Sequence, residues 1–485
     1  MKVVVERLYG FIKWPFLPGY LILFISYLPG VLKICFYSDD FPALIETKST
    51  TLNLISDTRP LWGAGLLLFF SLAKFSGFYV LPKVIGFLGL LFLYRYTCTL
   101  FKKSHSARVH NIIIALGFLL PSFGIWSHWS TSLFHSWGAL LGLIGYEKFK
   151  GKSHIVSIII MSMSCLIYPP ATVFFFGVIF YRGLALRLTN SELKSELLLA
   201  IKLLVVAGFF SLLFAFLLIK TLGLSPTSRV SIVGLSEFPP KLIWFFSHPF
   251  VLGFFPMSVH SPTFLQLVSI GLPTLFLIIF AITKEAGLSK LQFLNRFPLL
   301  FMFAVLSICP LLLSRDNQIE LRLIPGISWA FFCSCLYGIY LLLETYRKKS
   351  YRLVAGVFSV VLITLSIFGV MQRFQTFYYY QDRFSTDFIV NSIRACEQSD
   401  NLKSITINDN TTIFPIMPYL GTFSMTSDMA SSWVPRNKTI FLLQRYFPQH
   451  SGVPVFLNSE NSDTCRIELN NLVSQVTSAE RKSLL

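Results

Sequence analysis

Two short stretches, Tyr37-Ser38-Asp39-Asp40 and Asp57-Thr58-Arg59-Pro60-Leu61, decide how this chain is read. Before the first lies an apolar run from Trp14 to Phe36. After the second a new one starts at once, Leu61-Trp62-Gly63-Ala64-Gly65-Leu66-Leu67-Leu68-Phe69-Phe70. Two adjacent carboxylates at the mouth of an apolar span are costly unless they face water, a cation or a substrate. Asp39 and Asp40 therefore read either as a solvated helix end or as an acid or base in a site at a membrane surface. The rest of the chain has to decide between these.

Composition fixes the setting. The 485 residues are 54% hydrophobic and only 13% charged, with fifty phenylalanines, and the mean hydropathy is +0.65. This is the composition of a polytopic membrane protein. The net charge of +18 reports basic loops held on the cytoplasmic side. No basic stripe interleaved with solvent-facing aromatics speaks for nucleic acid. Lys2, Arg7 and Lys13 precede the first apolar run as in a signal peptide. The run is about 23 residues long and no small-x-small cleavage site follows, so it reads as an uncleaved span with its N-terminus inside.

Working outward, spans are placed so that the Lys/Arg clusters between them fall on one side. Leu61–Ala73 is short and reads as a re-entrant or interfacial outer helix. Spans follow at about Phe78–Phe101, Asn111–Trp126 and Ser132–Tyr146. The stretch from Ile155 to Tyr181 is interrupted by Pro169-Pro170 and reads as two spans with the prolines at the outer turn. Leu184–Leu197 reads as a short amphipathic cytoplasmic segment. Further spans are expected at Leu198–Ile219, Phe264–Thr283, Phe297–Leu313, Ile327–Leu343 and Leu353–Val370, with Leu242–Val259 interfacial. The expected fold is thus an all-α polytopic membrane protein of about eleven transmembrane helices, N-terminus inside and C-terminus outside. The membrane domain covers residues 1–371, with outer loops at 38–77, 220–261 and 314–326.

From residue 372 the composition turns polar, and 372–485 reads as a small exported α/β domain. Six cysteines sit in apolar runs as packing residues. Cys396 and Cys465 are the two in the tail, and they read as a disulfide if that tail is in an oxidising compartment.

The charged groups assigned to the outer face are Asp39, Asp40, Glu46, Asp57, Arg59, Arg229, Glu237, Lys241, Arg315, Asp316, Glu320 and Arg322. A carboxylate can accept the proton of an attacking hydroxyl, and arginine forks can hold a phosphate that gains charge as it leaves. The sequence has no P-loop, no G-x-G-x-x-G after a strand, no H-E-x-x-H and no G-x-S-x-G. Nothing supplies a full set of metal ligands, and no cofactor is expected. His128 and His135, near one outer mouth, read as packing or polar lining. No cytoplasmic segment is large enough for a nucleotide-sugar domain, so a group transferred outside has to arrive on a lipid.

An Asp-Asp in the first outer loop, an Arg-Pro-Leu opening a short outer helix, many spans and an exported tail resemble the GT-C glycosyltransferases. More narrowly, the chain resembles the bacterial and phage-encoded serotype-converting O-antigen glucosyltransferases. The match rests on Tyr37-Ser38-Asp39-Asp40 and Asp57-Thr58-Arg59-Pro60-Leu61, with Arg315 and Arg322 as further support. The resemblance implies a multi-pass protein of the bacterial inner membrane. It would move a hexose, typically glucose, from an undecaprenyl phosphate carrier to lipid-linked O-antigen on the periplasmic face. By that resemblance Asp39 or Asp40 is the general base, the reaction inverts, and Arg59, Arg315 or Arg322 binds the carrier phosphate. The alternative for Arg315 and Arg322 is an ion pair to Asp316 or Glu320 in their own loop, and for Arg59 a helix-start charge at the headgroups. An O-antigen polymerase or ligase would instead use the central outer loop, with Arg229, Lys241 and His248 on the substrate. A lipid-linked glycan transporter would place charges mid-span.

Overall fold

A computed structural model of the chain describes residues 16–36, 40–102, 104, 106–186, 188–227, 231–253, 271–286, 290–315, 317, 321–345, 360–371, 381–398, 402–408, 434–458 and 465–468. Of the candidate residues, Asp39 and Arg229 lie outside these, as do Asp316 and Glu320.

The described chain is dominantly helical. In order come α1 (Leu17–Leu32), α2 (Asp40–Ile45), α3 (Thr47–Ser56), α4 (Pro60–Ser76), α5 (Leu81–Thr99), α6 (Ala107–Gly117), α7 (Pro121–His128), α8 (His135–Lys150), α9 (His154–Ile167), α10 (Pro169–Thr172), α11 (Phe174–Ala185) and α12 (Asn190–Thr221). The series continues with α13 (Phe238–Phe245), α14 (Val251–Gly253), α15 (Leu272–Ala286), α16 (Lys290–Leu306), α17 (Cys309–Leu313), α18 (Pro325–Thr345) and α19 (Val360–Met371). Among the described residues, three helices (α5, α12 and α18) are long and apolar enough to cross a membrane, with a fourth span if the bent pair α6–α7 counts as one. Others, such as α1, α4 and α9, are apolar but shorter.

Helix α12 has the amphipathicity of a lipid-facing span rather than of a soluble helix. Leu203, Ala207, Ser211, Ala215 and Ile219, four residues apart, are buried. Val205, Phe209, Phe214 and Leu217 are exposed. Small side chains at a four-residue spacing let a helix approach its neighbours closely, while the large apolar ones are left for lipid. A capping box of Thr189 and Glu192 starts the helix, satisfying two of its terminal N–H groups. Nothing breaks the chain between there and Leu198. The amphipathic segment and the following span, separate in the sequence reading, are therefore largely one 32-residue helix.

The expected span Asn111–Trp126 is broken instead. Its halves α6 and α7 meet at 67°. Pro121 is the cause: it disfavours helical backbone at the preceding residue, and Leu120 is extended. The Tyr27 hydroxyl donates to the Phe118 carbonyl at 2.6 Å, beside the break. A second proline break falls at Tyr168, also extended, ahead of α10. Arg182 of α11 pairs with Glu147 of α8 and Glu196 of α12, and Lys150 also reaches Glu196.

The tail contributes α20 (Gln381–Gln398), β1 (Ile405–Asn408), α21 (Val434–Tyr446), β2 (Val455–Leu457) and β3 (Cys465–Glu468). The strands form a parallel sheet in the order β2-β1-β3, with Ile405 opposite both Val455 and Cys465. Cys396 at the end of α20 is bonded to Cys465, with a Cα separation of 5.6 Å.

The tail core does not close on itself. Ile389, Ile393, Ile405, Ile407, Phe441 and Leu442 are buried together with Phe36, with Phe41 and Leu44 of α2 and with Leu66 and Phe70 of α4. Phe441 stands edge-on to Phe36 at 5.1 Å between centroids. Lys438, wholly buried, donates to Asp382 Oδ1 at 2.8 Å and to Ser385 Oγ at 2.5 Å. The other oxygen of Asp382 accepts the Phe36 amide at 3.2 Å.

Candidate functional site

The site is built around the turn between α7 and α8. Ser130–Ser132 form a single 3-10 turn. Its opening N–H groups have no partner within the turn and carry a partial positive charge. Asp40, first residue of α2 and fully buried, meets that charge. Its Oδ1 accepts Thr131 N–H at 2.8 Å and its Oδ2 accepts Ser130 N–H at 3.4 Å.

The Asp57-Thr58-Arg59-Pro60-Leu61 motif makes a sharp corner. Asp57 caps α3, and Thr58 takes a left-handed backbone, φ +61°, as at many helix ends. Non-glycine residues visit that region at a cost that the surroundings have to meet. Here Thr58 N–H and Arg59 N–H bond back to Ile55 and Leu54 carbonyls, both at 2.9 Å. Asp57 Oδ1 also accepts the Thr227 hydroxyl. Pro60 then starts α4 at the helical position where it needs no N–H. The corner points Arg59 between two rings: its guanidinium carbon lies 5.5 Å from the Trp62 centroid and 5.3 Å from that of Tyr168. Close packing holds the arrangement, since a Cβ on Gly65 would collide with the Phe134 ring.

Arg322 arrives from a third direction, on a 3-10 turn (Leu321–Leu323) just before α18. Its guanidinium carbon is 4.6 Å from the centroid of Trp129. Trp129 directly precedes the Ser130–Ser132 turn, so Arg322 comes to the turn that Asp40 holds, just ahead of His135, the first residue of α8. His135 is wholly buried, 4.0 Å centroid to centroid from Tyr168 and 4.8 Å from Trp62. The Trp62 indole N–H donates to Thr131 O at 2.7 Å.

The walls are aromatic, and several polar groups among them have no partner among the described residues. Trp126 Nε1, Ser127 Oγ, Ser130 Oγ, Ser132 Oγ, His135 Nε2 and Ser136 Oγ are buried with no hydrogen-bond partner among the described residues. Buried polar groups in native proteins are nearly always bonded, so such a concentration has room for water or for a polar guest to complete it. Aromatic faces with hydroxyl, imidazole and indole donors and acceptors, flanked by two guanidiniums, suit a hydroxyl-rich ring carrying a phosphate.

The structure therefore brings Asp40, Arg59 and Arg322 from three separate stretches to one turn. Arg315, Lys241 and His248 gather elsewhere, around α13. Residues 231–233 pair antiparallel with 313–315. Arg315 bonds Glu237 at 2.8 Å with both side chains exposed. Lys241 donates to Asn317 Oδ1 at 2.9 Å and stands over Trp244. His248 bonds Ser247 Oγ at 2.7 Å. Among the described residues no group of three or more His, Cys, Asp and Glu side chains is placed to hold a metal ion.

Sequence reasoning missed the serine-rich turn and its aromatic frame. The signal was there: Ser127, His128, Ser130, Thr131, Ser132, His135 and Ser136 fall within ten residues of an outer loop without Lys or Arg. Comparison of the chain with protein-family models, curated proteins and solved structures returns no match.

Proposed function

We propose that this chain is a membrane glycosyltransferase. It moves a hexose, glucose in the first instance, from a polyprenyl phosphate carrier to lipid-linked O-antigen. In this reading the protein crosses the bacterial inner membrane about eleven times. The N-terminus is cytoplasmic, and the site and tail are periplasmic.

The observation that supports the reading is the meeting of Arg59 and Arg322 on the aromatic, hydroxyl-rich turn held by Asp40. The two guanidiniums bind the carrier phosphate and stabilise it as it leaves. The acceptor hydroxyl attacks the anomeric carbon, the bond from that carbon to the phosphate oxygen breaks, and the configuration inverts. A carboxylate takes the hydroxyl proton. Asp40 is committed to two backbone amides, so we assign it to positioning and assign the base to its neighbour Asp39.

The test is sugar transfer in membranes carrying wild type, Asp39→Asn or Asp40→Asn at matched protein levels, with polyprenyl phosphate-glucose as donor. Asp39→Asn is expected to lower transfer by about a hundredfold or more. Full activity of that variant removes Asp39 as the base. No transfer by wild type defeats the reaction class, and a change in glycan chain length in its place favours a polymerase.

A further inference from the structure

His135 has one ring nitrogen accounted for and one not. Nδ1 lies 3.0 Å from Ser132 O. A carbonyl only accepts, so Nδ1 carries the proton, and in the neutral ring Nε2 is a lone-pair acceptor. Nε2 is buried and has no partner among the described residues. The ring has little freedom to turn elsewhere. Tyr168 lies 4.0 Å from it, Trp62 4.8 Å and Trp126 5.9 Å, centroid to centroid. Two of those rings, Trp62 and Tyr168, are the ones that carry the Arg59 guanidinium.

Arg59 and His135 thus share two rings, and a phosphate bound at Arg59 would bring its attached sugar towards His135. We propose that His135 Nε2 receives a hydroxyl of the transferred sugar and so helps to choose which hexose the site accepts. The inference rests on the lipid-donor reading above and deepens it. A histidine that served packing alone would be replaceable by a ring of similar size. One that receives a hydroxyl would not, because a site built around that bond discriminates strongly against partners that cannot make it.

The experiment measures binding to the purified full chain by its tryptophan fluorescence. Three probes are used: polyprenyl phosphate-glucose, the same carrier bearing each monodeoxyglucose, and bare polyprenyl phosphate. Wild type is expected to prefer the glucose-bearing carrier to the bare one by about tenfold or more, and to lose that preference with one deoxy sugar. His135→Phe is expected to bind bare carrier as wild type does and to treat glucose and that deoxy sugar alike. His135→Gln, which restores an acceptor, is expected to recover part of the preference. Arg322→Ala weakens every probe. If His135→Phe keeps the wild-type discrimination, His135 is a packing residue and the inference is wrong. If wild type binds none of the carriers, the lipid-donor reading itself fails and this inference falls with it.

Discussion

Asp40 Oδ1 and the Thr131 amide are 2.8 Å apart in space and 91 residues apart in sequence. That bond ties the start of α2 to the turn between α7 and α8, where the serines without partners among the described residues and His135 lie. The acid at the mouth is thus a strut for the floor of the site.

Replacing Asp40 by Asn puts an amide nitrogen where one of the two accepting oxygens stood. One of the Ser130 and Thr131 N–H groups then faces a donor and is left unmet in a buried place, at a cost of about 1–3 kcal/mol. The expected outcome is a lower melting temperature of the purified chain, with Asp40→Ala lower still. A melting curve identical to wild type would show that the turn stands without this strut.

Arg322 and Arg315 lie in one loop and are predicted to behave oppositely. Arg322 stacks on Trp129, and a lysine keeps its charge but loses the planar fork that stacks and grips phosphate. Arg322→Lys is expected to weaken binding of bare polyprenyl phosphate by about tenfold. Arg315→Lys is expected to change it little, because Arg315 forms an exposed pair with Glu237, worth about 1 kcal/mol or less. Equal effects in a binding titration would contradict the division of roles drawn here.

Lys438 is buried beneath the tail with Asp382. Lys438→Met leaves that carboxylate without its ammonium group, and breaking a buried pair from one side costs about 3–5 kcal/mol. Arg436→Ala, which breaks the half-exposed pair with Glu46, is expected to cost about 1 kcal/mol or less. Limited proteolysis reads the difference: the tail of Lys438→Met should be cut well before that of Arg436→Ala, and equal rates would refute the contrast.

The disulfide joins residues 69 positions apart, and such a link stabilises by about 2–4 kcal/mol, chiefly by restricting the unfolded chain. Cys465→Ser is expected to lower the stability of the tail by that order. Since β1 and α2 share one apolar core, it is also expected to speed trypsin cleavage in the first outer loop. Cleavage that accelerates in the tail alone would show that the two move independently.

The all-α membrane character, the break at Pro169-Pro170 and the cysteine pair could be read from the sequence, because hydropathy and proline chemistry act locally, whereas the break at Pro121 was read as continuous span. Arg59 and Arg322 were legible as outer-loop cations, yet their meeting at one turn was not, since no local pattern encodes a contact between residues 59 and 322. For the same reason Arg315 and Arg322 looked alike. The Ser127–Ser136 segment was passed over because serine and histidine beside apolar runs read equally well as lining. Only the finding that the hydroxyls of Ser127, Ser130, Ser132 and Ser136 and Nε2 of His135 are buried with no partner among the described residues separates the two. The fusion of the tail core with α2 was hidden as well: the composition shift at residue 372 marks where polarity changes, and apolar faces can still meet across it.

That fusion orders events during synthesis. Phe36 emerges from the ribosome 346 residues before Asp382, the side chain that holds its amide. The apolar face of α2 has to wait for segments of the tail made long after it. A nascent or prematurely terminated chain therefore carries Asp40, Arg59 and His135 without the cover that fixes the loop around them. Closing the α2 face over those residues thus depends on the tail having been made.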